Sequence, residues 1–218
     1  MAVLTASGSP RLAAARRDGT RRPWVGVRAA GSSSVRLVVV ALLAATAFAT
    51  PVGAQLTQEE ALRLAFGAAD VERRTAFLDE GQLDAARDLA GPRSGIERGV
   101  VSYYVASHGG APVGVAYFDA HRVRTLQEVL MIVIDPRGHV ERVETVSFRE
   151  PPEYEAPEGW LAQFLGRPLG DELSLRGDIA PMTGATLTAN AVTYAVRRTL
   201  ALHQIIDPFG AQQESSIR

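Results

Sequence analysis

A chain of 218 residues, 46% hydrophobic and 22% charged, is long enough to bury a substantial core. Its formal charge is −1, but the first 54 residues carry seven arginines against one acid, leaving 16 basic and 23 acidic side chains on the remainder. That acidic remainder offers no broad face for nucleic acid, and with no cysteine the chain has no disulfide, thiolate metal site, iron–sulfur ligation or c-type haem attachment.

At the N-terminus, Arg11, Arg16, Arg17, Arg21, Arg22, Arg28 and Arg36 precede an apolar run over 37–49 and then Val52-Gly53-Ala54. A basic region, an apolar stretch and a small-residue cleavage site predict a signal peptide over 1–54 and an exported, periplasmic or otherwise extracytoplasmic protein. Cleavage after Ala54 leaves 164 residues. An uncleaved membrane anchor is the competing reading, although the apolar run is shorter than the ~20 residues of a bilayer span.

Residues 55–91 read as a helical arm. Thr57 and Glu60 have capping-box spacing before an apolar face of Ala61, Leu62, Leu64, Ala65 and Phe66, and Asp79 stands as a second cap before Leu83, Ala86 and Leu89. Gly91-Pro92 ends the segment. Strand signals then come in series at 100–106, 110–118, 126–134 and 139–148, separated by His108-Gly109-Gly110 and Asp135-Pro136-Arg137-Gly138 turns. These predict an α+β fold with an antiparallel sheet of about four strands and packed helices, a single domain over 92–207 and a flexible tail over 208–218.

Beyond an acidic, proline-rich loop at 150–157, Trp160, Leu161, Phe164 and Leu165 predict a short amphipathic helix ending at Gly166. The two aromatics are core candidates, with covering a flat ligand as the alternative. Glu150, Glu153, Glu155 and Glu158 read as a solvated loop, with docking of a basic partner as the alternative. No two histidines have metal-ligand spacing, and no metal site is expected.

The most informative stretch is 178–188. Asp178 is followed by Thr183, Gly184, Ala185, Thr186, Leu187 and Thr188, and then by Ala189, Val192, Ala195, Val196 and Leu200 at helical spacing. A helix starting near Thr186 or Thr188, with a threonine at its N-cap and a flexible glycine before it, is suited to hold a phosphate. Asp, four residues, then Thr-Gly-Ala-Thr resembles the flavinylation motif of the FMN-binding domain family, found in flavoprotein subunits of sodium-pumping NADH:quinone oxidoreductase and of Rnf-type complexes.

The resemblance implies covalent FMN linked through its phosphate to Thr186, with Thr183, Gly184, Ala185, Leu187 and Thr188 shaping the loop and helix start, and Asp178 as the acid at the family's spacing. It implies two partners: a separate flavin transferase that uses FAD and Mg2+ and releases AMP, and a membrane redox protein as electron donor or acceptor. His121, Arg124 and Thr125, between the second and third strands, are further cofactor candidates: Arg124 for the phosphate or the reduced flavin, Thr125 as a hydrogen-bond donor. A solvated hairpin tip is the alternative there. The resulting expectation is an electron carrier rather than a standalone enzyme; the rivals are a flavin-dependent reductase of a small exported substrate and an unflavinylated accessory or sensor domain.

Overall fold

The computed structural model describes residues 55–93 and 95–210; the expected leader over 1–54 and the tail from 211 onward lie outside them. Thr57 opens α1 (Gln58–Phe66) with the reciprocal bonds its sequence predicts, the Glu60 N–H donating to Thr57 Oγ1 at 3.2 Å and the Thr57 N–H to Glu60 Oε2 at 2.8 Å. Asp79 and Gln82 repeat the arrangement at α2 (Glu80–Ala90). Between these helices the expected arm stops being helical: Asp70–Phe77 is a strand, β1, paired along its length with β2. Charged side chains on β1 protect a free sheet edge, and they mask the two-residue period by which a half-buried strand is recognised.

The other strands fall close to where the sequence places them, except that the second of them runs on to Arg122 and so takes in His121, which was expected in the connecting loop. β2 (Val100–His108), β3 (Ala111–Arg122), β4 (Gln127–Ile134) and β5 (Val140–Phe148) complete an antiparallel meander in the order β1-β2-β3-β4-β5. Gly109 and Gly110, with φ of 57° and 83°, make the tight turn from β2 to β3 that other residues resist. The Asp135 carboxylate accepts the N–H groups of Arg137 and His139, each at 2.9 Å, and so shapes the turn from β4 to β5.

Alternation along β4 serves both faces of the sheet. Leu130, Ile132 and Ile134 pack with α4 (Thr186–Ile206) through its buried Ala189, Val192, Ala195, Val196 and Leu200, whereas Met131 and Val133 pack with α1 through Ala61. Each large apolar side chain so buried stabilises the fold by about 1.5–3 kcal/mol. α2 lies against α4 through Leu83, Ala86, Ala90 and Ala201. In α3 (Glu158–Leu161) and the 3₁₀ turn that follows it, Trp160 and Phe164 meet edge to face at 5.4 Å within the core, so they do not cover an open site. Among the described residues no helix is long and apolar enough to cross a membrane.

α4 runs antiparallel to β3. His203 meets Tyr117 at 3.1 Å near one end and Arg198 meets Asp119 further along, so the tip of the β3–β4 hairpin reaches the first turn of α4.

Candidate functional site

α4 starts at Thr186, and its N-cap is Ala185 rather than a threonine, with no side-chain cap at all. Gly184 turns the chain into the helix with a φ of 80°, which its lack of a Cβ makes easy. The N–H groups of Thr186, Leu187 and Thr188 therefore find no acceptor among the described residues, and they sit at the positive end of a 21-residue helix. The Thr186 side chain is exposed and its hydroxyl makes no hydrogen bond among the described residues. Thr188, two residues on, is buried and donates to the Tyr154 carbonyl at 2.7 Å.

That last bond ties the loop after β5 to the helix, and a second tie comes from the hairpin tip. Arg124 lays its guanidinium over the Tyr154 ring, 4.7 Å from the centroid. Arg124, Tyr154, Gly184, Ala185, Thr186, Leu187 and Thr188 line one cleft of about 320 Å³. The hairpin tip is itself held by Glu150: one carboxylate oxygen, Oε1, accepts the N–H groups of Arg124 (3.2 Å), Thr125 (2.6 Å) and Leu126 (2.7 Å), and the Thr125 hydroxyl at 3.3 Å. The Leu126 N–H, then those of Thr125 and Arg124, hold the Glu150 carboxyl below its ordinary pKa.

The candidates thus divide. Thr186, Leu187, Thr188, Gly184, Ala185 and Arg124 converge on the cleft. Thr183 is exposed just before Gly184 and is not part of the lining, and Thr125 spends its hydroxyl and N–H on Glu150. Asp178 pairs with Arg167 at 2.6 Å and serves the loop rather than the cleft. Trp160 Nε1–H donates to the Ala180 carbonyl at 2.7 Å, and the Ala180 N–H donates to Gln163 at 2.8 Å, which fixes the same loop from within.

His121 is turned into the protein instead. Its Nδ1 lies 2.9 Å from Asp119 and its Nε2 lies 3.0 Å from Glu128, and Arg198 of α4 closes the group with two bonds to Asp119. Burial works against a charged imidazole, but the hydrogen bonds to Asp119 and Glu128 outweigh it and hold the His121 pKa above its ordinary value. For Asp119 burial again opposes the charge, and the bonds from His121 and Arg198 win, lowering its pKa. The group braces the hairpin behind the cleft.

Sequence reasoning missed two residues, Glu150 and Tyr154. Glu150 is buried and clamps a turn 24 to 26 positions earlier in the chain, so it belongs to no solvated acidic face. Neither role carries a local signal; a carboxylate placed directly before Pro151-Pro152 at a strand end is the nearest to one.

Residues 127–201 match the model of the FMN-binding domain family. The chain is also 33% identical, over 111 residues, to one subunit of the ion-translocating oxidoreductase complex of Shewanella loihica, an alignment covering 45% of this chain and 52% of that protein. The chain thus spans about half the length of this curated relative. The matched segment includes Glu150, Tyr154 and the whole 178–188 stretch, while Arg124 lies just before it.

Proposed function

We propose, from the premise that residues 127–201 carry an FMN-binding domain, that this chain is an exported electron carrier with FMN joined through its phosphate to the Thr186 hydroxyl. The observation that carries the reading is the state of Thr186: exposed, without a hydrogen-bond partner among the described residues, on the first turn of an uncapped helix. A phosphate there meets the unpaired N–H groups of the turn and the helix dipole, and Arg124 across the cleft adds a full positive charge. The Tyr154 ring supplies a flat wall. FMN supplies one- and two-electron redox chemistry; the protein supplies the anchor, the orientation and the local field.

Attachment is a group transfer in which Thr186 Oγ1 bonds to the flavin-side phosphorus of FAD, the pyrophosphate linkage breaks, AMP leaves with the bonding electrons and the hydroxyl proton passes to base. A separate flavin transferase dependent on FAD and Mg2+ is the partner for that step. A covalent link suits an exported carrier, since a dissociating cofactor is lost to the surroundings. The similarity to part of an ion-translocating oxidoreductase complex supports a membrane redox protein as electron donor or acceptor.

Intact-mass spectrometry after co-expression with a flavin transferase, followed by peptide mapping over 178–197, tests the reading. An FMN-sized adduct on Thr186 is expected. An unmodified chain, under conditions that label a control substrate, overturns it in favour of an accessory or sensor domain.

A further inference from the structure

Thr186 stands on a ridge between two hollows. One flank is the cleft with Arg124 and Tyr154; the other is a larger hollow of about 630 Å³ between the end of α2, the loop around 171–176 and the outer side of α4. We infer that this larger hollow is a second binding site, for a small organic anion with a flat apolar body.

Its charge points to an anion. Arg93, Arg176 and Arg197 line it against a single acid, Asp171, although the chain beyond residue 54 is acidic as a whole. Among the described residues seven other arginines, Arg63, Arg74, Arg167 and Arg198 among them, pair with carboxylates, and five others have no such pair. The three in the hollow have none among the described residues either. Arg93 donates to the Tyr194 hydroxyl at 3.1 Å, and Arg197 donates to the carbonyls of Ala90 (3.0 Å), Gly170 (2.6 Å) and Leu173 (3.3 Å). Carbonyl oxygens hold a guanidinium in place without cancelling its charge, so the hollow keeps a positive field.

Its walls point to a flat apolar body. Leu175, Pro181 and the Tyr194 ring face the space, and its volume lies within the range of about 300–1,000 Å³ common to small-molecule sites. A guanidinium pair beside an aromatic ring suits an aromatic carboxylate, sulfonate or phosphate. Because Thr186 borders both hollows, a ligand held here lies next to the attachment residue. The inference rests on the reading that FMN itself takes the Arg124–Tyr154 flank.

Calorimetric titration of the purified chain with naphthalene-2-sulfonate, against its neutral counterpart naphthalene-2-methanol, tests it. The sulfonate is expected to bind one to one and at least tenfold tighter than the alcohol. Arg93→Ala combined with Arg176→Ala, both exposed positions, should weaken it at least tenfold, and Arg124→Ala should leave it unchanged. Absence of saturable binding, equal binding of the alcohol, or indifference to the double variant overturns the site. Repeating the titration on FMN-loaded protein separates the two readings. Retained binding supports two sites, whereas loss of binding makes the hollow the flavin's own seat and overturns this inference while leaving attachment at Thr186 standing. Should Thr186 fail to take FMN, the titration of the unlabelled chain still decides whether the anion site exists.

Discussion

The two ends of α4 treat their polar groups in opposite ways. Toward its C-terminus the helix is tied down: Arg198 grips Asp119, His203 faces the Tyr117 hydroxyl, and the left-handed Asp207 turns its N–H back to the His203 carbonyl at 3.0 Å. At the N-terminus Ala185 caps nothing and, among the described residues, three N–H groups are without acceptors and the Thr186 hydroxyl is without a partner. Satisfying those groups was within easy reach, since Thr57 and Asp79 do it for α1 and α2 in the same chain. A helix that declines a cap where its neighbours have one leaves donors for something outside the chain. The C-terminal half ties the helix to the sheet, and the first turn is left open for the phosphate proposed above.

The sharpest way to break this contrast is Thr186→Ala. Covalent flavin should vanish, while stability moves by no more than about 0.5 kcal/mol, since the residue caps nothing and lies exposed. Thr186→Ser should keep the label. Flavin persisting on the alanine variant, measured by intact mass, rules out Thr186 as the anchor.

His121→Ala attacks the cluster that Arg198 of α4 closes, where His121 bridges two acids. Glu128 is fully buried, its Oε1 has no hydrogen-bond partner among the described residues and its Oε2 relies on His121. Removing the imidazole strands that carboxylate, and a loss of about 3–5 kcal/mol in urea unfolding is expected. A loss below about 1 kcal/mol would show that the cluster is solvated and not a brace.

The two histidines should also give pH dependences of opposite sign. Burial lowers the folded pKa of His203 to about 4, with Asp207 opposing it weakly. As pH falls below ~6.5 the unfolded chain takes up a proton that the folded one refuses, so stability present above that pH is lost on the way to pH 4, by about 3 kcal/mol. His203→Gln should flatten that limb. His121 has its folded pKa raised, so its contribution is complete below ~6.5 and is lost as pH rises through the folded value. Unfolding midpoints collected across pH for the wild type and each variant assign the two limbs.

Glu150 links the fold to the site. Because one oxygen accepts all four donors, Glu150→Gln can keep the hairpin tip in place, whereas Glu150→Ala releases Arg124 from its position over Tyr154. Labelling by the transferase should fall about 10- to 100-fold in the alanine variant, as expected for a displaced positioning group, and recover in the glutamine variant. Equal losses in both would mean that the carboxylate charge matters rather than the clamp.

The sequence exposed what depends on local pattern. Capping pairs, the four apolar strands and the start of α4 all have signatures within a few residues, and the motif ending in Thr186 lies in one run. What it hid depends on long-range pairing. β1 looks polar because an edge strand carries charges, Glu150 acts on a turn that is remote in the chain, and His121 sits close to Arg124 in sequence yet faces the opposite way. His121 is held by the strand pairing of β3 with β4 while Arg124 lies in the turn beyond it, and only the end of the strand shows which one reaches the cleft.

The mildest change expected is Asp178→Asn. Asp178 stands at the acidic position of the motif, yet its side chain is 55% exposed and its partner Arg167 lies on the loop side. An ion pair of that kind contributes about 0–1 kcal/mol and weakens with salt. The loop has other anchors: Trp160 and Gln163 hold Ala180, and the Asp178 N–H itself donates to the Glu172 carbonyl at 2.8 Å. Labelling of the asparagine variant should therefore fall by no more than a few-fold, in step with any small loss of stability. Complete loss of labelling with an unchanged unfolding midpoint would move Asp178 from holding the loop to acting in the transfer itself, and the free first turn of α4 would then be only half of what the transferase reads.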